Sequence, residues 1–438
     1  MLWVIGRQYK QVGRTIELPD VYCSKIKSSN FAESITNRTM LQTDSLFQIS
    51  TSQGSAYAAK LSQIEANPQW SAAFSQAFPE LRKDGRFYRI VEQTINPEFD
   101  YQYFIFENLQ KQVVAIQPFF LLQQDLIQGS GKWVNRVVGP IRKVLPKFLT
   151  SRTLMVGCAA GEGHIDSQSP DQSKGLTEML HEMILKYAKP ARAKMLVLKE
   201  FPAKYREQLL RFSRNGFTRI PSLPMTRLSI DYPDFDQYMT KVLSKVTRKG
   251  LRRKFRDAAE SAPIEMIVLD DISPMVDEAH ALYMNVYNRS SMHFEKLTKA
   301  FLCRLGKEMP EKTRFFVWKQ NGKMIAFSLC MIQGDSIYDE YLGLDYSVAL
   351  DLHLYFYTFK DIVEWAMKNN IKWYCSSALN YDPKLHLKSS LYPLDLYVAH
   401  SSKLMNMLLR KILPMMEPTK ADPILKQFAN HADLWGDK

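Results

Sequence analysis

The stretch that most constrains this chain runs from Asp231 to Ser261 and reads DYPDFDQYMTKVLSKVTRKGLRRKFRDAAES. An apolar, acidic lead-in carries Tyr232, Phe235 and Tyr238. It passes into a predicted helix bearing Lys241, Lys245, Arg248, Lys249, Arg252, Arg253, Lys254 and Arg256. Leu243, Val246, Leu251 and Phe255 recur at spacings of 3, 5 and 4, a broken apolar stripe that anchors one face and turns the basic residues outward. A charge run is by default a solvated helix face. This one lies between two blocks with the same order of elements, which makes it a bridge between two halves.

Before the bridge, the pattern predicts a helix over Trp70–Phe78, a strand over Tyr88–Val91, and a hairpin of Tyr101–Asn108 with Gln112–Phe120. A basic loop with Lys132, Arg136, Arg142, Lys143 and Lys147 follows, then strand Thr153–Val156 and a helix near Leu176–Ala188. Strand Met195–Lys199, helix Lys204–Arg214 and a strand opening at Gly216 close the block. After the bridge come strand Ile264–Leu269 and helices Ser273–Tyr287 and Leu297–Met309. A hairpin of Thr313–Gln320 with Lys323–Gln333 turns at Asn321-Gly322, a pair suited to the positive φ of a tight turn. Strand Ser336–Gly343, helix Leu352–Asn369, strand Ile371–Ser377, an irregular segment, strand Leu394–Ala399 and helix Ser402–Leu413 complete the second block.

Strand runs followed by a strand–helix–strand crossover imply an α+β fold of two mixed, mostly antiparallel sheets flanked by helices. The same order twice implies internal duplication. The expected division is an N-terminal extension over 1–66, a first domain over 67–235, a basic linker helix over 236–262, a second domain over 263–402 and a helical tail over 403–438. In the extension, Leu2–Ile5 and Thr15–Leu18 read as short strands and Ser45–Ala59 as a polar, Ser-rich arm.

Composition narrows the partners. A length of 438 residues with 46% apolar content supports two packed domains, and a net charge of +13 attracts polyanions: nucleic acid, an anionic membrane surface or a phosphate-rich carrier. The 5 cysteines, Cys23, Cys158, Cys303, Cys330 and Cys375, form no CxxC pair, so neither a zinc site nor a disulfide framework is signalled and no metal is expected. No run approaches the length of a membrane span. The expected setting is the cytoplasm, with contact to the inner face of the membrane through the basic helix left open.

LMVGCAAGEG at Leu154–Gly163 resembles a nucleotide-type glycine loop, but such a loop needs a helix to open directly after the glycines. Here HIDSQSPDQSKG intervenes. The alternative is a turn needing positive φ at Gly157, Gly161 or Gly163.

RFSRNGFTRIP at the end of the first block resembles the closing section of a GNAT-type acyltransferase domain, where a helix leads into a Gly-Phe strand. The bridge FDQYMTKVLSKVTRKGLRRKFRDAAE is similar to the linker of the FemAB-like double-GNAT proteins. The second block is similar to their peptidoglycan biosynthesis/recognition branch, through Tyr283–Phe294 (YMNVYNRSSMHF), Ile337–Gly343 (IYDEYLG), Leu352–Tyr355 (LHLY) and Ser377–Leu387. The resemblance covers about Asn67–Ser402 and implies two tandem GNAT-like domains. It departs at Tyr338-Asp339-Glu340-Tyr341, where relatives carry aromatic-Gly-Arg-aromatic, and at Leu344–Ala349, where simple GNAT enzymes place a Gly-rich pyrophosphate loop. Because FemAB-like proteins use aminoacyl-tRNA or other carriers, that absence leaves acyl transfer open. The implied activity is transfer of an acyl or aminoacyl group from acyl-CoA, acyl carrier protein or aminoacyl-tRNA to an amine.

That chemistry needs a base for the amine, a polarised carbonyl and a protonated leaving group. The candidate bases are Asp339 and Glu340, which face opposite sides of a strand, and His353 at a helix start. Tyr338 and Tyr341 are candidate acids. Arg289, His293, Tyr355, Asn380, Lys384 and His386 are candidate substrate-binding residues, and Arg248, Lys249, Arg252, Arg253 and Arg256 candidates for a carrier or polyanion. Trp365, Trp373 and Tyr374 read as core, as do Met405, Met407, Met415 and Met416 in the tail. Two other readings stay open: a non-catalytic double-GNAT protein binding an envelope precursor, peptide or lipid, and a nucleic-acid binder using the basic helix.

Overall fold

A computed structural model describes residues 46–125, 150–166, 170–290, 294–415 and 417–436. In chain order the elements are β1 (Phe47–Thr51), β2 (Gly54–Ala59), α1 (Leu61–Ala66), α2 (Pro68–Ser75), α3 (Gly85–Thr94), β3 (Asp100–Asn108), β4 (Val113–Asp125) and β5 (Thr150–Val156). Next come α4 (Pro170–Tyr187), β6 (Met195–Pro202), α5 (Leu210–Arg214), β7 (Thr218–Pro221) and β8 (Met225–Ser229). The bridge holds α6 (Phe235–Val242) and α7 (Lys245–Ala259). After it lie β9 (Ile264–Leu269), α8 (Val276–Arg289), α9 (Lys299–Glu308), β10 (Thr313–Gln320), β11 (Lys323–Gln333) and β12 (Ser336–Leu344). The chain closes with α10 (Leu354–Lys368), β13 (Trp373–Ser376), α11 (Tyr381–His386), β14 (Ser390–Tyr392), β15 (Leu394–His400) and α12 (Lys403–Ile412).

The strands form two sheets, ordered β1-β2-β3-β4-β5-β6-β15-β7 and β14-β8-β13-β12-β11-β10-β9. Each is antiparallel except at one parallel pair, β5/β6 in the first and β12/β13 in the second. The expected fold class holds: α+β, two mixed, mostly antiparallel sheets, each with helices against it. The sheets do not follow the linear division of the chain, however. β15 lies between β6 and β7 in the first sheet, and β8 pairs with β13 and β14 in the second. Buried Asp395 on β15 helps fix this exchange, accepting hydrogen bonds from Arg206 Nε at 2.7 Å and Arg219 Nη1 at 2.9 Å.

Four local expectations are corrected. Tyr88–Val91 belongs to helix α3: Phe87, Ile90 and Val91 follow helical spacing, and the Asp84 side chain caps the helix by accepting from Arg86 N. Ser45–Ala59 supplies hairpin β1/β2 to the first sheet rather than an arm. The bridge is two helices, because Leu243 is extended and Ser244 caps α7 through Thr247 N. Lys204–Arg214 is one 3₁₀ turn followed by the short α5. The Asn321-Gly322 turn has φ of 50° and 77°, as its sequence implies. The strands expected before residue 46 and the basic loop at Lys132–Lys147 lie outside the described residues.

One large apolar cluster joins the halves. It runs from Trp70, Phe74 and Tyr88 in the first to Tyr283, Phe301 and Phe315 in the second. Phe87 meets Phe301 edge-on at 6.0 Å, so α3 and α9 are packed across the junction. The segment between α2 and α3 carries charged side chains into this contact, and the candidate site begins there.

Candidate functional site

The two parallel pairs place two polar centres. In the first sheet β5 and β6 pair from Thr153↔Met195 to Val156↔Leu198, after which the chain turns away at Gly157. Gly157 and Gly161 take φ of 124° and 104°, which answers the glycine question in favour of a turn. A Cβ at Gly161 would lie 2.0 Å from Lys83 Nζ, and one at Gly163 2.7 Å from Lys199 O. The loop is closed around side chains rather than open to a phosphate.

Those side chains form a buried ion network across the halves. Arg82 and Lys83 are each 1% exposed. Arg82 Nη2 lies 2.5 Å from Glu162 Oε1 and its Nε donates to Glu340 Oε1 at 2.6 Å. Lys83 Nζ donates to Glu162 Oε2 at 2.7 Å and lies 3.7 Å from Glu340 Oε1. The Arg82 guanidinium sits 3.6 Å from the centre of the Tyr338 ring. Burial works against the Glu162 carboxylate, but Arg82 and Lys83 outweigh it and hold its pKa well below the ordinary range. His164, 3.2 Å from Glu162 Oε1 and from Tyr205 OH, has its pKa lowered by burial.

In the second sheet β12 and β13 pair from Ser336↔Trp373 to Asp339↔Ser376 and then part. A register shift against β11 sets Leu329 opposite Tyr341 and Cys330 opposite Asp339, leaving Glu340 as the extra residue of a bulge. Glu340 turns to Arg82, while Asp339 turns to the other side. There Asp339 accepts from Tyr374 OH at 2.6 Å and from the Ser328 hydroxyl. Burial raises its pKa. Lys384 on α11 is also buried, with its Nζ donating to Ser377 O. Burial lowers its pKa to about 7, against an opposing pull from Asp339. Tyr355, hydrogen-bonded to the Asn380 side chain, feels the Asp339 charge as well. Leu379 and Asn380 have φ of 76° and 51°, consecutive left-handed residues that fix the loop from β13 into α11.

Asp339, Tyr355, Asn380 and Lys384 thus converge, joined by Tyr374 and Ser328. Tyr338 and Glu340 belong to the Arg82 network. Tyr341 OH donates to half-buried Glu295 Oε1 at 3.0 Å, and desolvation raises the Glu295 pKa. His353, in the left-handed region at the start of α10, has Nε2 3.7 Å from Asp257 of α7; burial and then Lys254 lower its pKa. His386 is exposed, 3.7 Å from Asp382 on its own helix. Arg289 lies over the Tyr346 ring at 3.6 Å, and His293 falls outside the described residues. On the bridge, Lys249, Arg252, Arg253 and Arg256 are exposed. Arg252 pairs with Asp236 at 2.7 Å and Arg248 donates to Thr240 O.

Sequence reasoning passed over Arg82, Lys83, Glu162, Glu295, Ser328 and Tyr374. The only signal was a charged Arg82-Lys83-Asp84 run amid aromatics and a Glu-x-His in the glycine loop. Among the described residues no group of three or more His, Cys, Asp or Glu side chains could hold a metal, and no helix is long and apolar enough to cross a membrane.

The turn after β12 bears on an acyl-CoA donor. Asp345 there accepts from Ser347 N and Oγ and pairs with Lys323 at 2.6 Å, and these contacts hold its pKa down to about 2. A carboxylate paired with Lys323 therefore stands at this turn in place of a glycine-rich loop.

Over residues 157–379 the sequence matches the FemAB-like family, described as peptidoglycan biosynthesis/recognition, and the chain belongs to that family. No curated protein matches the sequence. Among solved structures, the chain is similar to the C-terminal domain of a putative lysylphosphatidylglycerol synthetase from Agrobacterium fabrum, at 10% identity over 80% of this chain and 96% of that one, with a TM-score of 0.46. It is similar to FemX at 8% identity over 74% and 93%, TM-score 0.47. It is also similar to a tandem GNAT protein from the clavulanic acid biosynthesis pathway at 10% identity over 79% and 99%, TM-score 0.43.

Proposed function

We propose that the chain transfers an acyl or aminoacyl group from a carrier to an amine, with the opening between β12 and β13 as its site. The observation that carries this reading is the convergence of half-buried Asp339 and buried Lys384 where that parallel pair parts. A lysine titrating near 7 exchanges a proton at neutral pH, which a surface lysine does not. Lys384 takes the proton as the acceptor nitrogen attacks the carbonyl carbon. The new C–N bond forms, the bond from the carbonyl to the carrier oxygen or sulfur breaks, and Lys384 returns the proton to that leaving atom. Asp339, held by Tyr374 and Ser328, stabilises the transient ammonium. Tyr355 and Asn380 line the approach.

The carrier is proposed to be aminoacyl-tRNA or an acyl carrier protein rather than acyl-CoA, because Asp345 and its neighbours stand where a glycine-rich loop would be. Exposed Lys249, Arg252, Arg253 and Arg256 supply the surface that would hold a polyanionic carrier. The same surface supports a second reading, a protein that binds such a polyanion without transferring anything.

The test is to incubate the protein with labelled aminoacyl-tRNA, acyl carrier protein or acyl-CoA and a panel of amines, and to seek the amide by mass spectrometry. An amide formed by the wild type and lost in Asp339→Asn supports transfer. Binding without product from any of the three donors supports the second reading.

A further inference from the structure

Helix α12 is docked by its polar side. Asn406 Oδ1 accepts from His400 N at 2.9 Å and its Nδ2 donates to Gly216 O at 2.7 Å, tying the helix to the edge of the first sheet. Leu409, one turn on, is half-buried against the core. Apolar residues of the helix face out: Leu404 is 70% exposed, Met407 58%, Leu408 48% and, just beyond, Met415 77%. At 3.6 residues per turn Leu404, Met407, Leu408 and Lys411 fall on the side opposite Asn406. No residue of the helix is fully buried. Met405, Met407 and Met415, read from the sequence as packing, are surface, and Met416 lies outside the described residues.

The charges on the helix itself have one sign. Lys403, Arg410 and Lys411 are exposed, and among the described residues none of them pairs with an acid. Lys194, also exposed, stands beside the helix, its carbonyl accepting from Ser401 N. Apolar side chains facing out with a rim of cations are what a helix lying in a lipid interface presents. A second copy of the chain fits less well. Its own Lys403, Arg410 and Lys411 would be brought against these, and a ten-residue helix, about 15 Å long, offers far less area than the roughly 800 Å² per partner of a stable interface.

We propose that α12 is an interfacial helix that seats the protein on an anionic phospholipid surface, with Leu404, Met407 and Leu408 inserted among the acyl chains and Lys403, Arg410 and Lys411 at the headgroups. This does not depend on the transferase reading. Co-sedimentation of the full chain with vesicles of phosphatidylcholine, with and without phosphatidylglycerol, tests it. The wild type should pellet with the anionic vesicles and progressively less as salt rises. L404Q/L408Q, which alters exposed positions only and should keep its circular dichroism, should bind about tenfold less well. R410Q/K411Q should lose about fivefold per charge on anionic vesicles alone. The proposal is overturned if the wild type ignores vesicles, or if L404Q/L408Q pellets as well as the wild type. It is equally overturned if sedimentation velocity shows a dimer that L404Q/L408Q abolishes while vesicles remain unbound.

Discussion

The openings after β5/β6 and after β12/β13 occupy corresponding places in two related sheets, yet they hold charge differently. At the first, Glu162 faces two cations, Arg82 and Lys83, and its pKa is driven far down; the charges are mutually satisfied and fixed. At the second, Asp339 is held by the hydroxyls of Ser328 and Tyr374 with no cation in direct contact among the described residues, and Lys384 is held by a backbone carbonyl. Burial therefore weakens the charged forms of both, and a proton can move at modest cost. One opening is a fastening, and the other is where the proposed acid–base work would take place. A matched buried pair is inert because its partners are balanced, whereas a mismatched one is where chemistry can be sought.

The largest expected effect is at the second opening. Lys384→Met keeps the side chain's bulk without its amine, and amide formation should fall by about 10²–10⁴-fold with the fold retained, measured as initial rates beside circular dichroism. An unchanged rate would remove Lys384 from the chemistry and with it the contrast drawn here. At the first opening Arg82→Met should act on stability instead. It leaves Lys83 alone to face both Glu162 and Glu340, and urea unfolding should show a loss of about 3–5 kcal/mol. Gly161→Ala, which drives a Cβ toward Lys83 Nζ at a backbone position L-residues avoid, should cost about 1–3 kcal/mol in the same assay.

pH separates the two openings without any change of sequence. Lys384 has a folded pKa below its unfolded value, so from about 7 up to the ordinary lysine range the unfolded chain binds more protons. Stability from this group rises with pH across that window by up to about 1.4 kcal/mol per unit, and Lys384→Met should flatten the rise. Glu162 is depressed in the fold, so its contribution is present above the ordinary glutamate range and is lost as pH falls through the folded value. The smallest effect concerns the bridge: neutralising Arg252, Arg253 and Arg256 together should lower the salt slope of tRNA binding by about two to three, read by filter binding at several salt concentrations.

Most of the architecture was legible in the sequence because it rests on local signals. The Asn321-Gly322 turn, the alternating strands and the repeated order of elements lie within short windows. Tyr88–Val91 misled because an apolar cluster of four residues fits a strand or one face of a helix, and the deciding Asp84 cap lies outside the cluster. Half of the candidate site was also legible: Asp339, Tyr355, Asn380 and Lys384 come from the second block and meet near one strand end. The partners of Glu340 were not, since Arg82 lies 258 residues away and nothing in its neighbourhood announces burial. The outward face of α12 was missed for a related reason. Amphipathic spacing shows that a helix has two faces but not which one the body takes, and here Asn406 decided it.

The exchange of β8 and β15 between the sheets sets the timetable of biosynthesis. β6 and β7 are finished by residue 221, but the strand that lies between them begins at Leu394. Until the ribosome has extruded Leu394–His400, the first sheet has a gap with two unpaired edges, and Asp395 has yet to meet Arg206 and Arg219. The nascent first half therefore presents open strand edges of the kind that invite stray pairing until the second half is complete. Expressed alone as residues 1–235, it should aggregate rather than fold, and the gene could not readily have been split into two separately translated halves.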